Sequence, residues 1–168
     1  MIELFQVIED NHDRLVSSLL TEVPKRVTAY HRMGRAELRQ SVEHLIEAYT
    51  DLLVTGEDRS LRSFFKYLAK VRSSQSFNLS DVMRALLCFP PIMRKMLQDE
   101  FRSVRGDGRS LYNDSVTKIE DTAYDALCLF ADIYQEYVRS RITEHNDYID
   151  EQNAQLGVDL SKFILFRG

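Results

Sequence analysis

Apolar residues recur in steps of three and four along most of this chain, the spacing that places side chains on one face of an α-helix. Leu4, Ile8, Leu15, Leu19 and Val23 mark a first helix, which Pro24 interrupts or restarts. Residues 27–33 read as a short helix ended by Gly34, a normal place for a left-handed cap. The clearest stripe is Leu38, Val42, Leu45, Ile46, Tyr49, Leu52 and Leu53, closed by Gly56, and the next is Leu61, Phe64, Phe65, Leu68 and Val71. Asn78 with Asp81 three residues on has the form of a capping box, opening a helix that carries Val82, Met83, Leu86 and Leu87. Pro90-Pro91 stops it, and Pro91 fits the first turn of the following helix, where Ile92, Met93, Met96, Leu97 and Phe101 repeat. Gly106-Asp107-Gly108 is the last flexible break.

Residues 109–156 contain no glycine and no proline, and their apolar positions follow a heptad. Val116, Ile119, Ala123, Ala126, Phe130, Ile133 and Tyr137 fall on one face and demand a packed partner. Beyond Tyr137 the stripe changes phase. Ile142, His145, Ile149, Gln152 and Leu156 form a second, weaker seam in which alternate positions are polar, as in a two-stranded coiled coil that fixes register at a cost in stability. As one helix the segment would run roughly 70 Å at 1.5 Å per residue, longer than a small domain is wide. The pattern divides the chain into a helical bundle over 1–137, a linker helix over 138–156 and a tail over 157–168.

Composition favours helices, with 44% hydrophobic residues and only 6 Gly and 3 Pro in 168 residues, enough chain for one well-buried core. A net charge of −4 with both signs interspersed gives no basic footprint for nucleic acid. No apolar run approaches the roughly 20 residues of a membrane span, and the first residues lack a basic region followed by an apolar stretch, so a cytoplasmic location is expected. Cys88 and Cys128 both stand in apolar helical surroundings and are expected to act as small buried hydrophobes, with a redox-active pair as the alternative, though nothing cationic flanks either thiol.

Residues able to do chemistry are few. His12, His31, His44 and His145 show no metal-ligand spacing with one another or with a carboxylate cluster, so no metal and no cofactor is expected. His12 lies on the apolar face of the first helix and reads as a buried or interface histidine, while His44 falls at a helix margin. His145, within the second seam, reads first as a polar register-setting residue, with a change of charge near neutral pH as the functional alternative. Gly106-Asp107-Gly108 lacks the lysine and preceding strand of a phosphate loop, and Ser73-Ser74-Gln75-Ser76 lacks the glycines of a nucleophile elbow. Nothing points to an enzyme.

The run Ser41-Val42-Glu43-His44-Leu45-Ile46-Glu47-Ala48-Tyr49, then Leu61-Arg62-Ser63-Phe64-Phe65-Lys66-Tyr67-Leu68-Ala69-Lys70-Val71-Arg72, then Phe77-Asn78-Leu79-Ser80-Asp81-Val82-Met83-Arg84-Ala85-Leu86-Leu87 resembles the N-terminal domain of the RsbR/RsbRD co-antagonist proteins of the bacterial stressosome. The order carries it: a helix ending near an arginine, a polar turn, and a Leu-Ser-Asp-Val helix start running into Arg-Ala-Leu-Leu. The resemblance implies an all-α, globin-like helical bundle without haem, which dimerises and continues through a long C-terminal signalling helix into an output domain, and it extends in architecture over residues 1–156. It offers no catalytic residues. Ser76 departs from the pattern, because glycine is expected in that turn. The tail residues Val158, Leu160, Phe163, Ile164, Leu165 and Phe166 are similar to the segment that opens PAS domains in bacterial sensor histidine kinases and diguanylate cyclases, which implies a following module; the alternative is an ordinary terminal strand or helix that packs back on the bundle.

The expected function is therefore a non-catalytic sensory domain that passes a change in helix packing to an output domain or a signalling partner, with a small-molecule ligand as one source of the change. Its dimer interface is expected at Leu4, Phe5, Ile8, Ile133, Tyr134, Tyr137 and Val138, whose apolar surface exceeds what one small bundle buries. The signalling seam is expected at Ile142, His145, Ile149, Gln152 and Leu156. The alternatives are a stand-alone ligand- or haem-binding globin-like protein and a purely oligomerising scaffold. Haem needs a proximal histidine, and residues 79–89, which should supply it, contain none.

Overall fold

The computed structural model describes residues 3–102 and 108–156. Its elements are α1 (Leu4–Asp10), α2 (His12–Arg26), a 3-10 helix (Thr28–Arg32), α3 (Arg35–Thr55), α4 (Arg59–Ser74), α5 (Leu79–Leu86), α6 (Phe89–Phe101) and α7 (Gly108–Leu156), with no strand among the described residues. The all-α class and the long C-terminal helix read from the periodicity are both present. Contacts divide the chain between Tyr134 and Gln135. Among the described residues the first unit holds every buried one: Leu15, Val16 and Leu19 of α2, Tyr49 of α3, Phe65 and Ala69 of α4, Val82 of α5, Met93 and Leu97 of α6, and Ala126 and Phe130 of α7 form the centre of its core. Each such side chain, fully withdrawn from water, contributes about 1.5–3 kcal/mol if it is of leucine or phenylalanine size.

α2 is the hub, packing against α3, α5, α6 and the 3-10 helix, while α3 also holds α4 and α1. The first apolar stripe is continuous in phase, but the helix breaks at Asn11 rather than at Pro24. Asn11 leaves helical geometry (φ −110°, ψ 15°), and its side-chain amide donates to the Val7 carbonyl and to Glu100 Oε1 of α6, both at 3.0 Å. Pro24 is carried inside α2, which ends two residues later. A missing N–H there removes one bond from a turn that is already closing.

Residues 28–32 form the tighter 3-10 turn, and Gly34 is not a left-handed cap: at φ −62°, ψ 142° it is extended and precedes α3 as its N-cap. Gly56, at φ 75°, does end α3 in the left-handed region, its N–H bonding the Leu52 carbonyl. The capping box of Asn78 and Asp81 is formed, with the Asn78 N–H donating to Asp81 Oδ2 at 3.1 Å. α5 ends at Leu86, Leu87 is exposed, and both Pro90 and Pro91 lie in the first turn of α6, where no N–H is needed. Cys88 is buried, but Cys128 is exposed, contrary to the reading from its leucine neighbours, which are themselves only half-buried on that side of α7.

α7 is keyed to the rest of its unit by four pairs. Phe130 meets Phe65 edge to face at 5.2 Å, Tyr112 meets Phe101 at 6.3 Å, Glu120 pairs with Arg94, and Lys118 Nζ donates to the Leu53 carbonyl at 3.2 Å. Of the expected flexible break, Gly106 and Asp107 lie outside the described residues, as does the tail over 157–168 with its PAS-like pattern; Gly108 is the first residue of α7.

Candidate functional site

On α4 the buried positions Leu61, Phe65, Leu68 and Ala69 are followed, one turn later, by Arg72 rather than by Val71. Val71 is half-buried and Arg72 is 1% exposed, the largest fully buried side chain of the described residues and their only buried charge. A charge taken out of water is costly unless it is paired and hydrogen-bonded. Arg72 Nη1 donates to Gln75 Oε1 at 2.8 Å and to Glu37 Oε1 at 3.3 Å, and Nη2 donates to Ser41 Oγ at 2.7 Å. Gln75 closes the loop by donating to Glu37 Oε1 at 2.6 Å. The guanidinium lies 5.6 Å from the ring centres of both Tyr30 and Phe77, which themselves meet edge to face at 4.8 Å. Such cation–π contacts are stronger where water is excluded.

The turn after α4 makes this cluster possible. Ser76 adopts φ +62°, the Phe77 N–H reaches back to the Arg72 carbonyl at 3.0 Å, and the Ser76 N–H reaches Ser73 at 3.2 Å. This is a Schellman ending with serine at the position usually held by glycine. The reversal swings Phe77 onto the Arg72 guanidinium. Burial raises the Tyr30 phenol pKa, an effect partly offset by Arg72, and burial likewise raises that of the Cys88 thiol.

Arg72 Nε, by contrast with both Nη atoms, has no hydrogen-bond partner. The Arg72 side chain is among those lining a cavity of about 30 Å³ among α2, α3, α4 and α5, walled chiefly by Leu19, Val42, Leu45, Leu68 and Leu86, with Tyr30 and Ser41 also on its wall. None of the lining residues is a histidine. Among the described residues no group of three or more His, Cys, Asp or Glu side chains is placed to hold a metal ion.

The histidines are dispersed. His12 is not buried but about half-exposed, its Nδ1 lying 3.6 Å from Asp13, and His44 is exposed with its ring against Phe64. His31 and His145 are exposed as well.

The residues expected at a dimer interface fall into two sets. Ile8 is only 2% exposed and is spent in the core of its own unit, whereas Phe5 is exposed and Leu4, Ile133, Tyr134, Tyr137 and Val138 are half-buried. Along the second seam all five positions are exposed, Leu156 at 72%, and Tyr148 adds a further exposed ring.

In a comparison against known families, residues 9–149 match the family described as the RsbT co-antagonist protein rsbRD N-terminal domain. The chain belongs to that family. By its description the domain is part of a regulatory protein, and no helix among the described residues is long and apolar enough to cross a membrane. Neither a curated protein nor a solved structure matches the chain.

Proposed function

We propose that this chain is a cytoplasmic, non-catalytic sensory domain of a stressosome-type regulator, which pairs with a second copy and passes changes in its bundle along α7 to a C-terminal output domain or signalling partner. The observation that carries this reading is the run of exposed apolar side chains at heptad spacing on the last part of α7, Ile142, Ile149 and Leu156, interrupted by His145 and Gln152. A helix face of this kind is stable in water when a like face covers it. Leu4, Phe5, Ile133, Tyr134, Tyr137 and Val138 supply further apolar surface for a parallel dimer. The polar interruptions keep pairing marginal, so that a few kcal/mol delivered at the bundle shift it.

Sedimentation equilibrium of the chain at micromolar concentration tests this reading. A dimer that dissociates when Ile142 and Ile149 are both changed to aspartate supports it. A monomer for the unaltered chain overturns it.

A further inference from the structure

We infer that the groove between α1 and α3 is a docking site for a basic amphipathic helix of a partner protein. Two helical faces wall it, positions 5, 8, 9 and 12 at the start of the chain and positions 46, 47, 50, 51 and 54 of α3. It encloses about 360 Å³. Along α3 it runs roughly 12 Å at 1.5 Å per residue, the length of two turns of an opposing helix. Ile8 and Ile46, both buried, and Phe5 and Val54, 36% and 56% exposed, supply its apolar lining. Thr50 spends its hydroxyl on the Ile46 carbonyl at 2.7 Å and so brings no free donor to the wall. Apolar side chains left open to water between two helices form the kind of groove that takes the apolar face of a third.

Charge selects the occupant. Glu9, Glu47 and Asp51 line the groove, and among the described residues no lysine or arginine does, the His12 imidazole being the one base of the lining. None of the ion pairs among the described residues involves these three carboxylates; Asp51 accepts a hydrogen bond from the Ser60 hydroxyl alone. The deficit extends along both walls: residues 3–13 and 40–58 contain no Lys or Arg, although the chain has 22. A second copy presenting the same face about a two-fold axis would set these carboxylates against themselves. Anionic lipid and nucleic acid would be repelled in the same way. Lysines and arginines beside the apolar anchors of a helix would instead find unpaired partners on both walls. The inference does not depend on pairing through α7, and Phe5, assigned above to the dimer surface, is left unaltered in its test.

The experiment selects a displayed library of helix-biased peptides, each of about 16 residues or four turns, against the full chain. Enriched sequences should carry apolar residues at i, i+3 or i+4 and i+7 with Lys or Arg beside them. A peptide synthesised from them should bind saturably and weaken at least tenfold when its basic residues are changed to glutamate. Glu47→Lys with Asp51→Lys, and separately Val54→Lys, alter side chains at the surface and should leave the circular dichroism melting profile in place while weakening the peptide at least tenfold. Asp114→Lys with Asp121→Lys, the same change of net charge at exposed positions of α7, should leave binding within about twofold. No enrichment, enrichment without a basic flank, or undiminished binding in the two groove variants overturns the inference. A dimer that dissociates in the groove variants assigns the groove to a second copy and overturns it as well. A monomeric chain that binds the peptide as described leaves this inference standing and overturns only the pairing through α7.

Discussion

Phe65 of α4 and Phe130 of α7 meet edge to face with ring centres 5.2 Å apart, and both are fully buried. Their contact is one apolar key between the long helix and the core, beside the buried Ile119, Ala123 and Ala126 of α7. Replacing Phe130 by alanine removes that ring and leaves a void against Phe65, so a loss of about 3–5 kcal/mol is expected. Urea unfolding followed by circular dichroism would register it. A loss below about 1 kcal/mol would mean that α7 is held elsewhere.

Ser76 carries a left-handed backbone with a side chain attached, a conformation that costs an L-residue roughly 1–2 kcal/mol relative to its right-handed counterpart. Glycine avoids this cost while giving up some of the gain to its freer unfolded state. Ser76→Gly should therefore stabilise the domain by about 0.5–1 kcal/mol, and Ser76→Val should destabilise it. Paired denaturation midpoints decide the matter; a destabilised glycine variant would show that the serine side chain has a stabilising role of its own.

Tyr49 is buried in α3 and stacks on Phe89 at 4.5 Å, and burial pushes its phenol well above the ordinary tyrosine range. A group whose folded pKa is raised contributes stability that is fully present below its unfolded value, near 10, and is lost progressively as pH climbs from there toward the folded value. The chain should accordingly lose stability on the alkaline side from about pH 10 upward. Tyr49→Phe should flatten that limb while changing stability at neutral pH by less than about 1 kcal/mol. An unaltered alkaline profile in the variant would assign the loss to other groups.

His145 and Gln152 are the polar steps of the exposed seam on α7, and leucine at both should make the seam continuous. Dimer dissociation should then fall by at least an order of magnitude, since two buried leucines contribute about 3 kcal/mol or more to pairing. Analytical ultracentrifugation across a dilution series measures it. A double variant that pairs no more tightly would reduce the seam to a tether.

Most of the helices were legible in the sequence because amphipathic spacing and two strong terminators, Gly56 and the Asn78/Asp81 box, act locally. The misplacements came where distant partners decide. Asn11, where the first helix breaks, bonds Glu100, a residue 89 positions away, and no window of sequence displays that bond. Arg72 falls on the core stripe by spacing, yet its charge argues for solvent. Only the ring of Tyr30, Phe77, Glu37, Ser41 and Gln75, drawn from three separate stretches, makes its burial tolerable. The unusual serine at position 76 was visible as a departure from a family pattern, and the structure shows the same turn made at its expected cost in strain.

Lys118 closes its bond to the Leu53 carbonyl across 65 residues of chain, in the last turn of α3 where a carbonyl would otherwise lack a helical partner. Neighbours in sequence build the α2–α3–α4 core, whereas α6 and α7 join it through distant pairs whose chain-closure entropy must be met first. Refolding should thus nucleate on α2–α4, with α7 docking after the rate-limiting barrier, so that weakening its anchors hastens unfolding and leaves the folding rate almost untouched. If α7 carries a message, as proposed, the carrier would then be the helix whose attachment opens soonest.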